Sequence, residues 1–117
     1  MSDLVEKIVR ILDEKKAEDI VAIQIDELTI LSDYFIIATG TSNTHVRSLA
    51  EEVEDRLQKE AGIEPAAVEG RATGWVLLDY GEVLVHLFTK DAREYYNLER
   101  LWTDGSQLDL RALLSED

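Results

Sequence analysis

A β-hairpin pattern occupies residues 75–88, which read Trp75-Val76-Leu77-Leu78-Asp79-Tyr80-Gly81-Glu82-Val83-Leu84-Val85-His86-Leu87-Phe88. Two segments rich in branched and aromatic side chains flank Gly81-Glu82, and side chains of these types favour strands. A glycine at the first central position is what a two-residue type II′ turn requires. The pattern therefore predicts two antiparallel strands whose register is set by the turn.

The predicted register makes the two faces of the hairpin chemically different, because successive side chains of a strand point to opposite faces. One face is wholly apolar and suits packing against helices; it pairs Tyr80 with Val83, Leu78 with Val85 and Val76 with Leu87. The other face mixes large apolar groups with a carboxylate and an imidazole; it pairs Asp79 with Leu84, Leu77 with His86 and Trp75 with Phe88. A mixed face of this kind is typical of a binding surface.

Two amphipathic helices are predicted before the hairpin. Apolar residues recur with helical spacing in residues 2–16 and again in residues 46–61. Ser2 is the expected N-cap of the first helix, while the capping side chains of 41–43 and the glycine at Gly62 bound the second.

Short apolar runs predict the remaining strands. Asp19–Ile25 and Tyr34–Thr39 are expected to be buried strands joined by a loop over residues 26–33. The short segment Ala67-Val68-Glu69 is a candidate edge strand.

A third helix is predicted after the hairpin. Asp91, with a glutamate three residues later, forms a capping-box pattern. Tyr95, Leu98 and Trp102 follow with helical spacing, and the helix is expected to end near Gly105. Tyr95 and Leu98 are expected in the core, whereas Tyr96 and Trp102 are better candidates for contact with a partner.

The order of these elements predicts one α/β domain over residues 1–104, a layered structure with a mixed β-sheet and helices mainly on one face. Residues 105–117 form a C-terminal tail with several leucines among charges. This tail is expected either to dock as an edge element or to stay partly mobile.

The charge of the chain limits the class of partner. Its 117 residues include 12 Lys and Arg against 25 Asp and Glu, which gives a net charge of −13. Binding of a nucleic acid depends on basic side chains that displace counterions, so direct nucleic-acid binding is disfavoured. The charge favours a basic partner, such as a ribosomal protein, or else it serves solubility alone.

Cysteine content and the N-terminal sequence limit the compartment. The chain has no cysteine, which excludes disulfides and thiolate metal sites. Neither a basic, apolar leader nor an apolar run of membrane-spanning length is present in the sequence. We therefore expect a soluble, cytoplasmic protein with no contact to a membrane.

The pattern of a nucleotidyltransferase is only half present. Gly40-Thr41-Ser42 precedes a helix and could hold an anion, but no second carboxylate follows Asp79 at the spacing of a metal clamp. His45 is expected to make an ordinary hydrogen bond at the start of its helix, and Ser42 to cap that helix. No catalytic residue and no metal ligand are therefore predicted.

Three strings of the sequence, taken in order, resemble the ribosomal silencing factor family, also called the Iojap-related group. They are Asp33-Tyr34-Phe35-Ile36-Ile37-Ala38-Thr39-Gly40-Thr41-Ser42-Asn43-Thr44-His45-Val46, Val68-Glu69-Gly70 and Trp75-Val76-Leu77-Leu78-Asp79-Tyr80-Gly81-Glu82-Val83-Leu84-Val85-His86. The continuation Arg93-Glu94-Tyr95-Tyr96-Asn97-Leu98-Glu99-Arg100-Leu101-Trp102 resembles the same family. The sequence departs from the family pattern at Thr44, where a basic residue is usual, and at Glu82, which replaces the commoner aspartate.

The resemblance implies a nucleotidyltransferase-like fold without the metal-binding carboxylates, and a protein that is not an enzyme and uses no cofactor. It also implies binding to the large ribosomal subunit through its universal ribosomal protein number fourteen, at the face where the small subunit docks. Such binding blocks subunit joining and represses translation when nutrients are limiting. Related proteins in organelles act in assembly of the large subunit.

Ten residues are expected to form the partner-binding surface, each with a role in the core or in a turn as the rival interpretation. Those of the hairpin are Trp75, Asp79, Tyr80, Gly81, Glu82 and His86, and those of the last helix are Arg93, Tyr96, Glu99 and Trp102. Aromatic anchors ringed by charge are what a binding hot spot needs.

Two functions from other classes remain open at this point. One is a large-subunit assembly factor that does not repress translation, and the other is a nucleotide-binding enzyme that uses the Gly40-Thr41-Ser42 loop. An exposed aromatic sheet face can also pair with its own copy, so a homodimer that competes with the partner is a further expectation.

Overall fold

The computed structural model describes residues 2–26, 32–70, 74–101 and 107–114. Its helices are α1 (Asp3–Glu14), α2 (Asn43–Ala61) and α3 (Lys90–Tyr96), followed by a 3₁₀ turn (Leu98–Leu101). Its strands are β1 (Glu18–Gln24), β2 (Tyr34–Gly40), β3 (Ala67–Glu69), β4 (Trp75–Asp79) and β5 (Val83–Thr89).

The five strands form one mixed sheet in the order β1-β2-β5-β4-β3. The central neighbours β2 and β5 are parallel, and every other pair is antiparallel. The predicted hairpin register is confirmed, because Trp75 lies opposite Phe88, Leu77 opposite His86 and Asp79 opposite Leu84. Residues 67–69 form the expected edge strand beside β4.

The main core lies between one face of the sheet and the pair α1 and α2. Its fully buried members include Ile8 and Leu12 of α1, Leu49 of α2, and Leu78 and Val85 of the hairpin. Arg56 of α2 pairs with Glu14 of α1 at the rim of this layer. The predicted fold class is confirmed: one α/β domain with a mixed sheet and helices mainly on one face.

The ends of α1 and α2 follow the predicted capping chemistry. The hydroxyl oxygen of Ser2 accepts a hydrogen bond from the Val5 N–H, and the Ser42 hydroxyl oxygen accepts one from the His45 N–H, each at 3.1 Å. Gly62 ends α2 in the left-handed conformation with φ of 65°, which a glycine adopts without steric cost. These caps satisfy backbone groups that a helix end leaves without partners.

The start and the length of α3 differ from the prediction. Thr89, not Asp91, is the N-cap, because the extended backbone of β5 runs directly into the helix and the Thr89 hydroxyl accepts from the Ala92 N–H at 3.3 Å. Asp91 lies in the first turn, where its charge suits the helix dipole. The helix stops at Tyr96 because Asn97 takes a left-handed conformation with φ of 46°.

Both tyrosines at the end of α3 are exposed, Tyr95 more than Tyr96. The expectation that Tyr95 belongs to the core is wrong, since 81% of its surface is exposed. Leu98 packs as expected, against a second apolar cluster on the far face of the sheet. Trp102, predicted on the same helix, lies outside the described residues.

The described part of the C-terminal segment packs along the outer edge of β1. Gln107 forms an antiparallel bridge with Ile23, and the Leu108 N–H donates to the Ala22 carbonyl at 2.8 Å. Leu110 is buried in the main core with 5% of its surface exposed. This segment covers an edge that would otherwise present unpaired backbone groups.

Among the helices of the described residues, none combines the length and the hydrophobicity needed to cross a bilayer.

Candidate functional site

A second apolar cluster lies on the sheet face opposite α1 and α2. Its buried members are Ile23, Ile25, Ile37 and Phe88, and its partly buried members include Phe35, Trp75 and Leu98. Only the short α3 and the 3₁₀ turn pack on this side among the described helical segments. The face is therefore partly covered and partly open.

Three aromatic rings, which we call the aromatic platform, lie where the cluster reaches the surface: Trp75, Phe88 and Tyr96. The Trp75 ring centroid is 5.1 Å from that of Phe88 and 4.5 Å from that of Tyr96. Phe88 is buried, Trp75 is half-buried, and Tyr96 keeps 40% of its surface exposed. Rings with a buried base and an exposed edge resemble the anchors found at the centres of protein interfaces.

His86 lies beneath this platform as a neutral buried side chain. Its ring meets Phe35 edge-on at 4.6 Å, and its Nδ1 accepts a hydrogen bond from the Trp75 indole N–H at 3.2 Å. Because an indole N–H can only donate, the hydrogen of the neutral imidazole is on Nε2. Burial lowers the pKa of His86 from 6.5 to about 4, so the ring stays neutral and orients Trp75.

His86 Nε2 has no hydrogen-bond partner within the described parts of the chain. With 5% of the residue surface exposed, His86 is buried rather than open to a partner. The structure thus gives His86 a role in holding Trp75, and direct contact of His86 with a partner stays a prediction.

The hairpin tip is a small acidic turn at the opposite end of strands β4 and β5 from the platform. Gly81 has φ of 82°, a left-handed value that favours glycine. The Asp79 Oδ1 accepts the Gly81 N–H at 2.8 Å, which uses one carboxylate oxygen to close the turn. The Glu82 carbonyl accepts the N–H groups of Asp33 and Tyr34, both at 3.0 Å, so the tip is fastened to the start of β2. The Glu82 residue itself is exposed.

Tyr80 lies on the other face of the hairpin. Its ring packs against the main core rather than beside Trp75. Burial, with a smaller contribution from the negative charge of Glu54, raises the pKa of Tyr80 to about 12. The hydroxyl stays protonated at neutral pH, and Tyr80 borders the hairpin tip without joining the platform.

Arg93 and Glu99 form an ion pair at the edge of the same face. The Arg93 Nε lies 2.9 Å from Glu99 Oε1 and its Nη2 lies 3.3 Å from Oε2. Its Nη1 donates to the Asp19 carbonyl at 2.6 Å and to the Thr39 hydroxyl at 2.8 Å. Only 12% of the Arg93 side chain is exposed. Most of its hydrogen-bonding capacity is therefore used inside the protein.

The predicted residues thus fall into three groups in space. The first group is centred on Trp75, which contacts both His86 and Tyr96. The second is the hairpin tip, at the other end of strands β4 and β5. The third is the Arg93–Glu99 pair, on α3 and the turn after it. Phe35 belongs beside His86 and was missed, because nothing local to the sequence aligns β2 with β5.

The Gly40-Thr41-Ser42 loop makes its hydrogen bonds to the first turn of α2, which follows it. The Thr41 N–H donates to His45 Nδ1 at 2.9 Å, and His45 Nε2 contacts the Lys15 carbonyl at 2.9 Å. His45 therefore makes the ordinary hydrogen bonds that were expected and ties α1 to α2. No group of three or more metal-ligating side chains assembles within residues 2–26, 32–70, 74–101 and 107–114.

The sheet order, the helix layer and the aromatic face together define a small acidic α/β domain with a partly covered aromatic sheet face. The chain belongs to the family described as ribosomal silencing factor during starvation, whose model matches residues 1–117.

Named relatives agree with this membership. The chain is 40% identical over 114 residues to the ribosomal silencing factor RsfS of Halalkalibacterium halodurans, with 97% of both chains covered. It is 44% identical over 99 residues to that of Bacillus subtilis, covering 84% of this chain and 83% of the relative. A mouse relative named mitochondrial assembly of ribosomal large subunit protein 1 is 31% identical over 102 residues, covering 85% of this chain and 45% of that protein.

A solved structure shares the fold. The crystal structure of a Chromobacterium violaceum protein superposes with a TM-score of 0.82 at 37% sequence identity, covering 93% of this chain and 91% of that one. The match supports the strand order and the helix layer described above.

Proposed function

We propose that this protein is a ribosomal silencing factor that binds the large ribosomal subunit through its universal ribosomal protein number fourteen. Bound there, it blocks joining of the small subunit and represses translation when nutrients are limiting. The observation that carries the proposal is the aromatic platform at one end of a hairpin whose other end is an acidic tip, in a chain that belongs to the silencing-factor family.

The proposed docking surface consists of the aromatic platform and the hairpin tip, residues 79–82. A partner that covers Tyr96 and the exposed edge of Trp75 would bury apolar area at the centre of the contact. The carboxylates of Asp79 and Glu82 lie at its rim, where charge steers association. His86, Arg93 and Glu99 are proposed to support this surface from below and from its edge, while Tyr80 and Trp102 remain proposed contacts.

Charge supports a basic partner. The net charge of −13 gives the protein an attractive field toward a cationic surface and a repulsive one toward free RNA. The proposed contact is therefore with a ribosomal protein, without sequence-specific contact to nucleic acid. We also propose that the protein acts in the cytoplasm, needs no cofactor and catalyses no reaction.

Sedimentation with isolated large subunits tests the proposed binding. The expected result is stoichiometric association that weakens as salt is raised, since the steering term is electrostatic. Purified ribosomal protein fourteen, added in excess, should displace the subunit. Absence of any association at low salt contradicts the proposal.

A role in large-subunit assembly is the second candidate, and the name of the mouse relative favours it. An assembly factor would associate with immature large subunits and leave the joining of mature ones unchanged. Comparing both kinds of subunit in the same sedimentation experiment separates the two functions. A nucleotide-binding enzyme, in contrast, predicts thermal stabilisation by nucleotide with magnesium.

A homodimer through the docking surface is proposed as a competing state. A second copy would cover the same aromatic edge, so self-association and partner binding would exclude each other. Sedimentation velocity across a dilution series tests it, and a monomer at every concentration excludes it.

A further inference from the structure

The Arg93 guanidinium joins three segments that are distant in sequence. It is bound by both carboxylate oxygens of Glu99, by the carbonyl of Asp19 in β1 and by the hydroxyl of Thr39 in β2. We call these four residues the guanidinium clasp. The planar fork of an arginine suits such a multiple contact, which a lysine could satisfy only in part.

Helix α3 depends on contacts of this kind to keep its position on the sheet. It has only seven residues, none of them fully buried, and a helix this short is unstable by itself. Beyond its end, Asn97 turns the chain in a left-handed conformation. The position of α3 therefore depends on a small number of specific contacts, and the clasp supplies the charged ones.

The clasp and the exposed ring of the platform share this helix. Arg93 and Tyr96 are three residues apart, so both occupy the last turn of α3. The Tyr96 ring contacts Trp75 at 4.5 Å and lies 6.2 Å from Phe88. A shift of the last turn would separate Tyr96 from Trp75 and open the platform.

We propose that Arg93 is a positioning residue whose clasp holds Tyr96 against Trp75 before a partner arrives. A partner then meets a preformed aromatic surface and does not have to order α3 on binding, which strengthens association. The effect on binding rests on the proposed function, whereas the effect on the free protein does not. Arg93 acts through Tyr96 rather than as a contact itself.

Thr39 makes a sharp test possible. It is 2% exposed and therefore cannot touch a partner, yet its hydroxyl accepts from Arg93. Thr39→Val removes this acceptor with little change of shape, while Arg93→Gln removes the charge of the clasp. Arg47→Gln, at an exposed position of α2, is the control with the same change of net charge.

The first readout uses the free protein. We expect Arg93→Gln and Thr39→Val to speed hydrogen exchange at the amides of residues 93–97 about tenfold and to weaken the nuclear Overhauser contact between the Tyr96 and Trp75 rings. Core amides of α2 should keep their protection, and Arg47→Gln should match the wild type throughout. Unchanged exchange and an unchanged ring contact in both clasp variants overturn the proposal.

The second readout is association with large subunits. We expect both clasp variants to bind at least about fivefold more weakly than the control. If only Arg93→Gln binds more weakly and its α3 amides keep their protection, Arg93 contacts the partner directly and the proposed positioning role is overturned. If variants with faster exchange in α3 bind as tightly as the wild type, the proposal that a preformed aromatic surface strengthens association is overturned. If the wild type itself does not bind, the proposed function fails, and the exchange data still decide whether the clasp positions Tyr96.

Discussion

Lowering the pH from 7.5 to 5.0 should reduce the free energy of unfolding by about 2 kcal/mol through His86 alone. The pKa of His86 falls from 6.5 to about 4 because the ring is buried beneath Trp75 and beside Phe35. Between these two values the unfolded chain binds a proton that the folded protein does not accept. The stabilisation is therefore complete above pH 6.5 and is lost as the pH falls toward 4.

The magnitude follows from the linkage between protonation and folding. A tenfold change in proton affinity corresponds to about 1.4 kcal/mol, so the limiting loss is about 3 kcal/mol, of which about 2 kcal/mol is reached at pH 5. Urea unfolding followed by circular dichroism at both pH values measures this loss. The carboxylates also titrate in this range, but their contribution is nearly common to the wild type and to His86→Gln, and it cancels in the difference.

His45→Gln is the control, because it removes the only other histidine and leaves His86 in place. We expect His45→Gln to retain the extra loss at low pH and His86→Gln to lack it. If the wild type and His86→Gln lose the same free energy of unfolding between pH 7.5 and 5.0, His86 is not buried as a neutral base in the folded protein.

Three further predictions concern the docking surface and the fold. Asp79→Lys should weaken association with large subunits about tenfold or more through repulsion of a basic partner. Asp79→Asn keeps the oxygen that accepts the Gly81 N–H and closes the turn, so it should lose less affinity. If the wild type and both variants bind equally, Asp79 is not part of the docking surface. Tyr96→Ala should weaken association with large subunits at least about tenfold. Tyr95→Ala, at the neighbouring position with 81% exposure, should bind like the wild type. Titrations in which Tyr95→Ala binds more weakly than Tyr96→Ala would show that the aromatic platform is not the contact. Leu110→Ala should lower the free energy of unfolding by about 2–3 kcal/mol, because this side chain is buried in the main core; a melting temperature equal to that of the wild type would show that the C-terminal segment adds no stability.

The hairpin could be predicted in detail because its information is local. Gly81 and the alternation on either side of it determine the register and the two faces, and the structure has both. The turn itself is tighter than the predicted type II′ turn, because the Glu82 N–H donates to the Tyr80 carbonyl at 3.1 Å across Gly81. The caps at Ser2, Ser42 and Gly62 were predictable for the same reason, since a cap depends on residues within one helical turn.

Long-range contacts limited what could be predicted of α3 and the site. Helix α3 ends at Asn97, and its packing on the sheet involves Arg93, whose hydrogen-bond partners lie up to 74 residues away in sequence. Burial of His86 likewise requires Phe35 from a parallel neighbour strand. The residue types of the candidate site were readable from the sequence, but which of them are exposed and which are buried beneath the others was not.

An assay of ribosomal subunit joining tests directly whether the protein silences large subunits. Large subunits are incubated with the protein, small subunits are then added, and the formation of joined ribosomes is followed by light scattering. We predict that the wild type and Tyr95→Ala prevent joining at one copy per large subunit and that Tyr96→Ala does not. Normal joining in the presence of bound wild-type protein would show that the protein is not a silencing factor.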